Sequence, residues 1–135
     1  NGQYVVFEST APDLVPNDTN SQSDTFVYRL ATGGVSRVSV SSSGAEGNHM
    51  SSSGRLSADA RYVTFSGYPS NLVPGDTNGA ADVFVHDRVP GTTEMASVWS
   101  LGLRCPAGRT RTSSIPLAAQ PQPTWAARLS RWLSR

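Results

Sequence analysis

Asp18-x-Asn20-x-Gln22-x-Asp24 places oxygen-bearing side chains at alternate positions of one short stretch, and Asp76-x-Asn78-x-Ala80-x-Asp82 repeats the pattern. Calcium takes six to eight oxygen ligands at roughly 2.3–2.6 Å, and loops of alternating Asp and Asn supply them because alternate residues of a tight turn point inward. The spacing marks Asp18, Asn20, Gln22, Asp24, Asp76, Asn78 and Asp82 as candidate calcium ligands. Each loop carries two carboxylates at these positions, no Glu follows at the twelfth, and Ala80 offers only its backbone carbonyl. The expected affinity is therefore weak, on the order of 10⁻⁴–10⁻³ M. A metal-free reading uses the same residues. Asp and Asn at turn starts accept hydrogen bonds from their own backbone as Asx-turns, and Pro74-Gly75-Asp76-Thr77-Asn78-Gly79 is dense in turn formers.

Catalytic chemistry has no comparable candidate. His49 and His86 are the only histidines, and neither has a Cys or His neighbour at metal-ligand spacing. His86 stands where the first copy has Tyr28, which reads as an ordinary strand position, and His49 reads as an exposed loop residue. No Gly-x-Ser-x-Gly elbow and no Gly-rich phosphate cradle occurs. Arg29 and Arg37 read as solvated strand or turn residues rather than substrate clamps. Catalytic and cofactor-binding residues are accordingly expected to be absent, with calcium the one cofactor the sequence suggests.

The loops are held by an internal repeat. Tyr4-Val5 and Phe7 recur as Tyr62-Val63 and Phe65, Leu14-Val15-Pro16 as Leu72-Val73-Pro74, and Asp18-Thr19-Asn20 as Asp76-Thr77-Asn78. Asp24, Phe26-Val27, Gly33, Ser39-Val40 and Gly44 recur as Asp82, Phe84-Val85, Gly91, Ser97-Val98 and Gly102, all at an offset of 58 without a gap. The runs around Tyr4–Phe7, Asp24–Tyr28, Tyr62–Phe65 and Asp82–His86 are short and rich in β-branched and aromatic residues, as strands on a half-buried surface are. Ser36–Val40 alternates at period two, turns are expected at Thr32-Gly33-Gly34, Ala58–Arg61 and Pro90-Gly91-Thr92, and a further short strand is expected near Arg55–Ser57. Up to position 98 no run has helical periodicity. The expectation is an all-β fold with about 58 residues per unit, the copies spanning 1–44 and 45–102.

Ser57-Ala58-Asp59-Ala60-Arg61-Tyr62-Val63-Thr64-Phe65 resembles the S-x-D-G-x-x-[ILV]-[AV]-F signature of TolB-type β-propeller repeats, and Asp82-Val83-Phe84-Val85-His86-Asp87 resembles their D-[ILV]-[FY]-[ILV]-x-D strand. Asn1–Phe7 matches the same signature from its Asp-Gly position onward. The resemblance covers about residues 1–100 and implies a partial β-propeller of about two four-stranded antiparallel blades. It departs at Ala60, where the usual turn residue is Gly, a substitution that is strained unless the turn avoids positive φ. It further implies a secreted, periplasmic or cell-surface setting and a non-enzymatic binding or scaffolding role, with a protein or surface-glycan partner held by the blade loops. Propeller domains also accompany peptidases and glycan-active enzymes, so a fragment of a larger hydrolase is the alternative, as is a truncated or frameshifted product without a function of its own. Propellers close with typically four to eight blades, so a two-blade stack is expected to be marginal or to self-associate through its open edges.

Residues 101–135 are of another kind. The chain has 135 residues and a net charge of +1; residues 1–98 hold all ten acids against five Arg, whereas residues 99–135 hold six Arg, no acid and all three Trp. This basic tail is expected to be irregular or to form a short helix, since Trp125, Leu129, Trp132 and Leu133 have helical spacing. A basic amphipathic helix suits an anionic membrane surface, but an accidental helix, or translation out of frame, accounts for the same residues, so membrane contact is not expected. No nucleic-acid partner is suggested. No stretch reaches the roughly 18 apolar residues of a bilayer span, the single Cys105 has no internal disulfide partner, and the start at Asn1-Gly2-Gln3 reads as lying within a longer frame or following processing.

Overall fold

The computed structural model describes residues 2–97; the expectations for the tail, its helix and Cys105 lie outside them. Seven strands form in chain order: β1 (Tyr4–Ser9), β2 (Asp24–Arg29), β3 (Gly34–Arg37), β4 (Ser51–Leu56), β5 (Tyr62–Gly67), β6 (Asp82–Asp87) and β7 (Thr92–Met95). They make two antiparallel sheets, one of three strands in the order β1-β2-β3 and one of four in the order β4-β5-β6-β7. The described residues are all-β, as the strand periodicity requires.

The 58-residue offset holds atom by atom. Tyr4 lies opposite Arg29 and Phe7 opposite Phe26, and in the second sheet Tyr62 lies opposite Asp87 and Phe65 opposite Phe84. Phe7 stacks on Phe26 with ring centroids 5.5 Å apart, and Phe65 on Phe84 at 5.4 Å, a cross-strand aromatic pair of the kind that fixes register in an antiparallel ladder. Backbone conformation repeats even where residue type does not. Asn17 and Gly75 share a positive φ (61° and 79°), as do Ser21 and Gly79 (55° and 63°) and Gly2 and Ala60 (66° and 57°). The Ser57–Arg61 turn thus keeps its left-handed position with a side chain on it. Ser57 Oγ accepts from Tyr62 N and Asp59 Oδ1 accepts from Arg61 N, and these bonds leave Ala60 no other conformation.

Two boundaries differ from the sequence reading. β3 runs over Gly34–Arg37 rather than Ser36–Val40, because the ladder is interrupted at Ser39: its side-chain Oγ, not a backbone carbonyl, accepts from Thr25 N at 3.1 Å. β4 begins at Ser51, well before Arg55, in a Ser-Ser-Ser-Gly run of low strand propensity. Its place is set by packing. β4 pairs with β5 and lies against β1 and β2 of the first sheet, where Gly54 is so close that a Cβ there would stand 2.6 Å from Val6 Cγ2 and 2.8 Å from Thr25 Cγ2. Only a strand of small residues fits at that distance.

The second sheet therefore rests on the first. Val27 and Val38 of copy 1 meet Val63 of copy 2, with Tyr4, Val6 and Leu56 around them. The Arg88 guanidinium covers the Tyr4 ring at 4.6 Å, and Thr93 N donates to Ser42 Oγ at 2.9 Å. A second cluster, Phe65, Leu72, Phe84 and Met95 with Val73 against it, lies within copy 2 alone and seats the 68–81 loop on its sheet.

Ala60 sits in the left-handed region at a cost of about 1–2 kcal/mol for a residue bearing Cβ, part of which glycine's greater unfolded-state entropy offsets. Ala60→Gly, which restores the residue found at the equivalent position 2, is expected to stabilise the fold by up to about 1 kcal/mol; urea unfolding should show a higher midpoint at unchanged slope.

Candidate functional site

Each acidic loop closes on the first residue of the strand that follows it. Asp24 opens β2 with its side chain wholly buried, and Asp82 opens β6 nearly so. A buried carboxylate has to be hydrogen-bonded, and both copies satisfy it in the same way. Ser39 Oγ donates to Asp24 Oδ1 at 2.6 Å and Ser97 Oγ to Asp82 Oδ1 at 2.6 Å. Asn20 Nδ2 donates to Asp24 Oδ2 at 3.2 Å and Asn78 Nδ2 to Asp82 Oδ2 at 3.1 Å. The amide oxygens turn the other way: Asn20 Oδ1 accepts from Gln22 N at 2.6 Å, and Asn78 Oδ1 from Ala80 N at 2.8 Å. Both Asn side chains thus build Asx-turns, and what they direct at the aspartate is an N–H donor rather than a metal-ligating oxygen. Gln22 enters this network through its backbone amide.

Copy 1 carries a further layer. Asp18, Asp24 and Glu46 bring three carboxylate oxygens within 4.8 Å of one another, the one trio of metal-ligating side chains so placed among the described residues. A guanidinium stands among them. Arg37 Nη1 lies 2.5 Å from Glu46 Oε1, 3.3 Å from Asp24 Oδ2 and 3.5 Å from Asp18 Oδ1, and Nη2 donates to the Asn17 carbonyl at 2.8 Å. Arg37 is therefore not a solvated strand residue: its side chain is 7% exposed, and β3 aims it inward beneath the loop. Glu46 comes from the segment linking the copies and also accepts from Thr19 N at 2.9 Å and Thr19 Oγ1 at 2.8 Å. The sequence reading missed Glu46. At the position equivalent to Arg37, copy 2 has Met95, buried in its apolar cluster, and Asp76 and Asp82 gain no third carboxylate among the described residues.

Three carboxylates against one guanidinium leave two negative charges in a largely buried site, and the protonation equilibria respond. Burial holds the Asp18 carboxyl above its ordinary range, with Asp24 and Glu46 adding to the effect and Arg37 opposing it. Asp18 Oδ2 is buried without a hydrogen-bond partner. Glu46 moves the other way: burial pushes it upward, but the Thr19 hydrogen bonds and Arg37 together hold it below its usual range.

The histidines supply no chemistry here. His86 is in β6, where burial lowers its pKa, and its Nδ1 pairs with Thr93 Oγ1 at 2.9 Å. His49 is exposed, accepts from Met50 N at 3.0 Å and packs against the Tyr68 ring. Compared with known proteins, the chain matches no family model, no curated sequence and no solved structure.

A carboxyl whose folded pKa lies above the unfolded value of about 3.9 stabilises the fold at low pH, and that contribution is lost as pH rises through the folded value. Asp18→Asn keeps the shape and removes the charge. It is expected to raise the melting temperature at pH 7, with the advantage over the parent chain vanishing at or below about pH 4, where Asp18 is protonated in both folded and unfolded states. Parallel melts of the two proteins between pH 3 and 8 measure this.

Proposed function

We propose that the chain is a pair of stacked blades of the TolB-type propeller kind and serves as a non-enzymatic binding or scaffolding module of a secreted or envelope protein, with protein or surface-glycan partners held by the 10–23 and 68–81 loops. The observation that carries this reading is the relation between the copies. Units of equal register and equal turn conformation lie one on the other through opposite faces, so the same step can be taken again, and a ring of such steps is a propeller. A binding rather than catalytic role draws support from the use of the buried carboxylates: Asp24 and Asp82 are committed to Ser, Asn and Arg partners that shape the loops.

Tandem arrays of one whole period, residues 39–96, test the reading. Scattering should show a radius of gyration that stops growing once closure is reached, between four and eight copies; growth in proportion to copy number at every length would exclude a propeller. The closed array is expected to bind members of a panel of envelope glycans and proteins and to lose them when its loops are replaced by Gly-Ser. Turnover of a panel member would place it among the enzymes instead.

Calcium uptake at the first loop is a second reading, favoured by the excess of two negative charges and the unpartnered Asp18 Oδ2. The residues that would hold the ion are Asp18 and Glu46, with Asp24 behind them, once Arg37 withdraws toward the Asn17 carbonyl. Millimolar calcium should then raise the melting temperature, EDTA should reverse the shift, and Glu46→Gln should abolish it. An unchanged melting temperature at 10 mM calcium, about ten times the weakest dissociation constant expected of such a loop, would dispose of the ion and leave Arg37 as the resident cation.

A further inference from the structure

We propose that the outer edge of β1 is an acceptor site for an extended strand with the chemistry of β4: small polar residues, one glycine, then an arginine and an aliphatic residue. The argument comes from the mismatch between the sheets. β5 has β6 on one side and β4 on the other, whereas β1, its equivalent at the 58-residue offset, has β2 on one side and is the outermost strand of its sheet. β1 and β5 share length, partner register and aromatic stacking. An edge strand of this kind presents unpaired backbone donors and acceptors, which another strand can complete.

The second sheet states what completes it and in which register. β4 pairs with β5 through Ser51 opposite Gly67, Ser52 opposite Ser66, Arg55 opposite Thr64 and Leu56 opposite Val63, with a bulge between Ser52 and Arg55. Carried back by 58 residues, the incoming strand sets its leucine opposite Val5, its arginine opposite Val6, and its two serines opposite Glu8 and Ser9. Val5 is 47% exposed, whereas its counterpart Val63, with Leu56 beside it and copy 1 above it, is wholly buried. The edge and its apolar residue are ready for a strand whose chemistry the molecule itself displays. Nothing in this depends on whether the units close into a ring.

The test uses the full 135-residue chain and a labelled peptide of residues 49–59. Binding should be saturable, and the β1 amides should gain about tenfold protection from hydrogen exchange, with a scrambled peptide giving neither. A second arm fuses residues 49–59 ahead of Gly2, so that the fused Asp59 takes the place of Asn1. The melting temperature should rise by about 5 °C, and a scrambled extension should leave it unchanged. Equal behaviour of native and scrambled sequences in both arms overturns the proposal. So does β1 protection that grows with protein concentration in the absence of peptide, because the occupant is then a second copy of the chain.

Discussion

A carboxylate without water is the constraint around which each unit is arranged. Asp24 and Asp82 stand at the first position of a central strand with their side chains buried, where an unpaired charge costs several kcal/mol even after relaxation. Each is partnered from two directions, by a serine beyond the third strand of its unit and by the asparagine of its own acidic loop. Those partners lie four residues before it and fifteen after it, so satisfying one carboxylate ties loop, strand and return segment together. The Asx-turns follow from this, since an asparagine that donates to the aspartate has its oxygen free to accept from the backbone two residues on. A side chain that looks like a metal ligand in sequence is here the donor that makes a metal unnecessary.

The copies part company one residue away. At the site facing the central Phe, copy 2 places Met95 in an apolar cluster, whereas copy 1 places Arg37, whose head reaches the carboxylates through the same space. An arginine so buried requires counter-charges, and Asp18 and Asp24 alone are provided by the repeat. Glu46 is not; it comes from the linking segment. That segment is also gripped by copy 2, as Asn71 Nδ2 donates to the Glu46 carbonyl at 2.7 Å and Asn48 N to Asn71 Oδ1 at 2.9 Å, while Asn20 Nδ2 holds the Gly47 carbonyl at 2.8 Å. The ion-pair network of the first loop and the seating of the second loop therefore share one short stretch of backbone. Disturbance at Arg37 should be felt at Asn71, a coupling through contiguous contacts.

Much of this was legible in the residues and some was not, for physical reasons. The strands around Tyr4, Asp24, Tyr62 and Asp82 could be read because β-branched and aromatic runs have little alternative to a pleated surface, and the ungapped offset of 58 carried their register. β4 escaped because serine and glycine have weak strand preference; its place is dictated by the space left between Val6 and Thr25, which no local pattern encodes. The loops were recognised as acidic, but their two uses could not be separated, because spacing does not say which end of an asparagine amide faces an aspartate. Arg37 did carry a signal. It replaces an apolar residue in an otherwise matched pair, and an arginine where the copy has methionine implies a buried partner. Glu46 carried none, since the register between copies ends at Gly44, two residues before it.

Copies that fold alike do not bury alike, and this separates what a unit supplies from what its neighbour supplies. Val5 and Val63 hold the same place in the same strand, yet one is nearly half exposed and the other wholly buried. Fully burying such a side chain contributes about 1.5–3 kcal/mol, a large share of a small domain's net stability of about 5–15 kcal/mol. The difference arises entirely from the adjoining copy and from β4. Stability in this architecture therefore resides in contacts between units as much as within them, as in other repeat stacks where intrinsic and interfacial contributions add. The internal hydrogen bonds of Asp24 and Asp82 set the shape of each unit; the valines that meet between the sheets decide whether that shape persists.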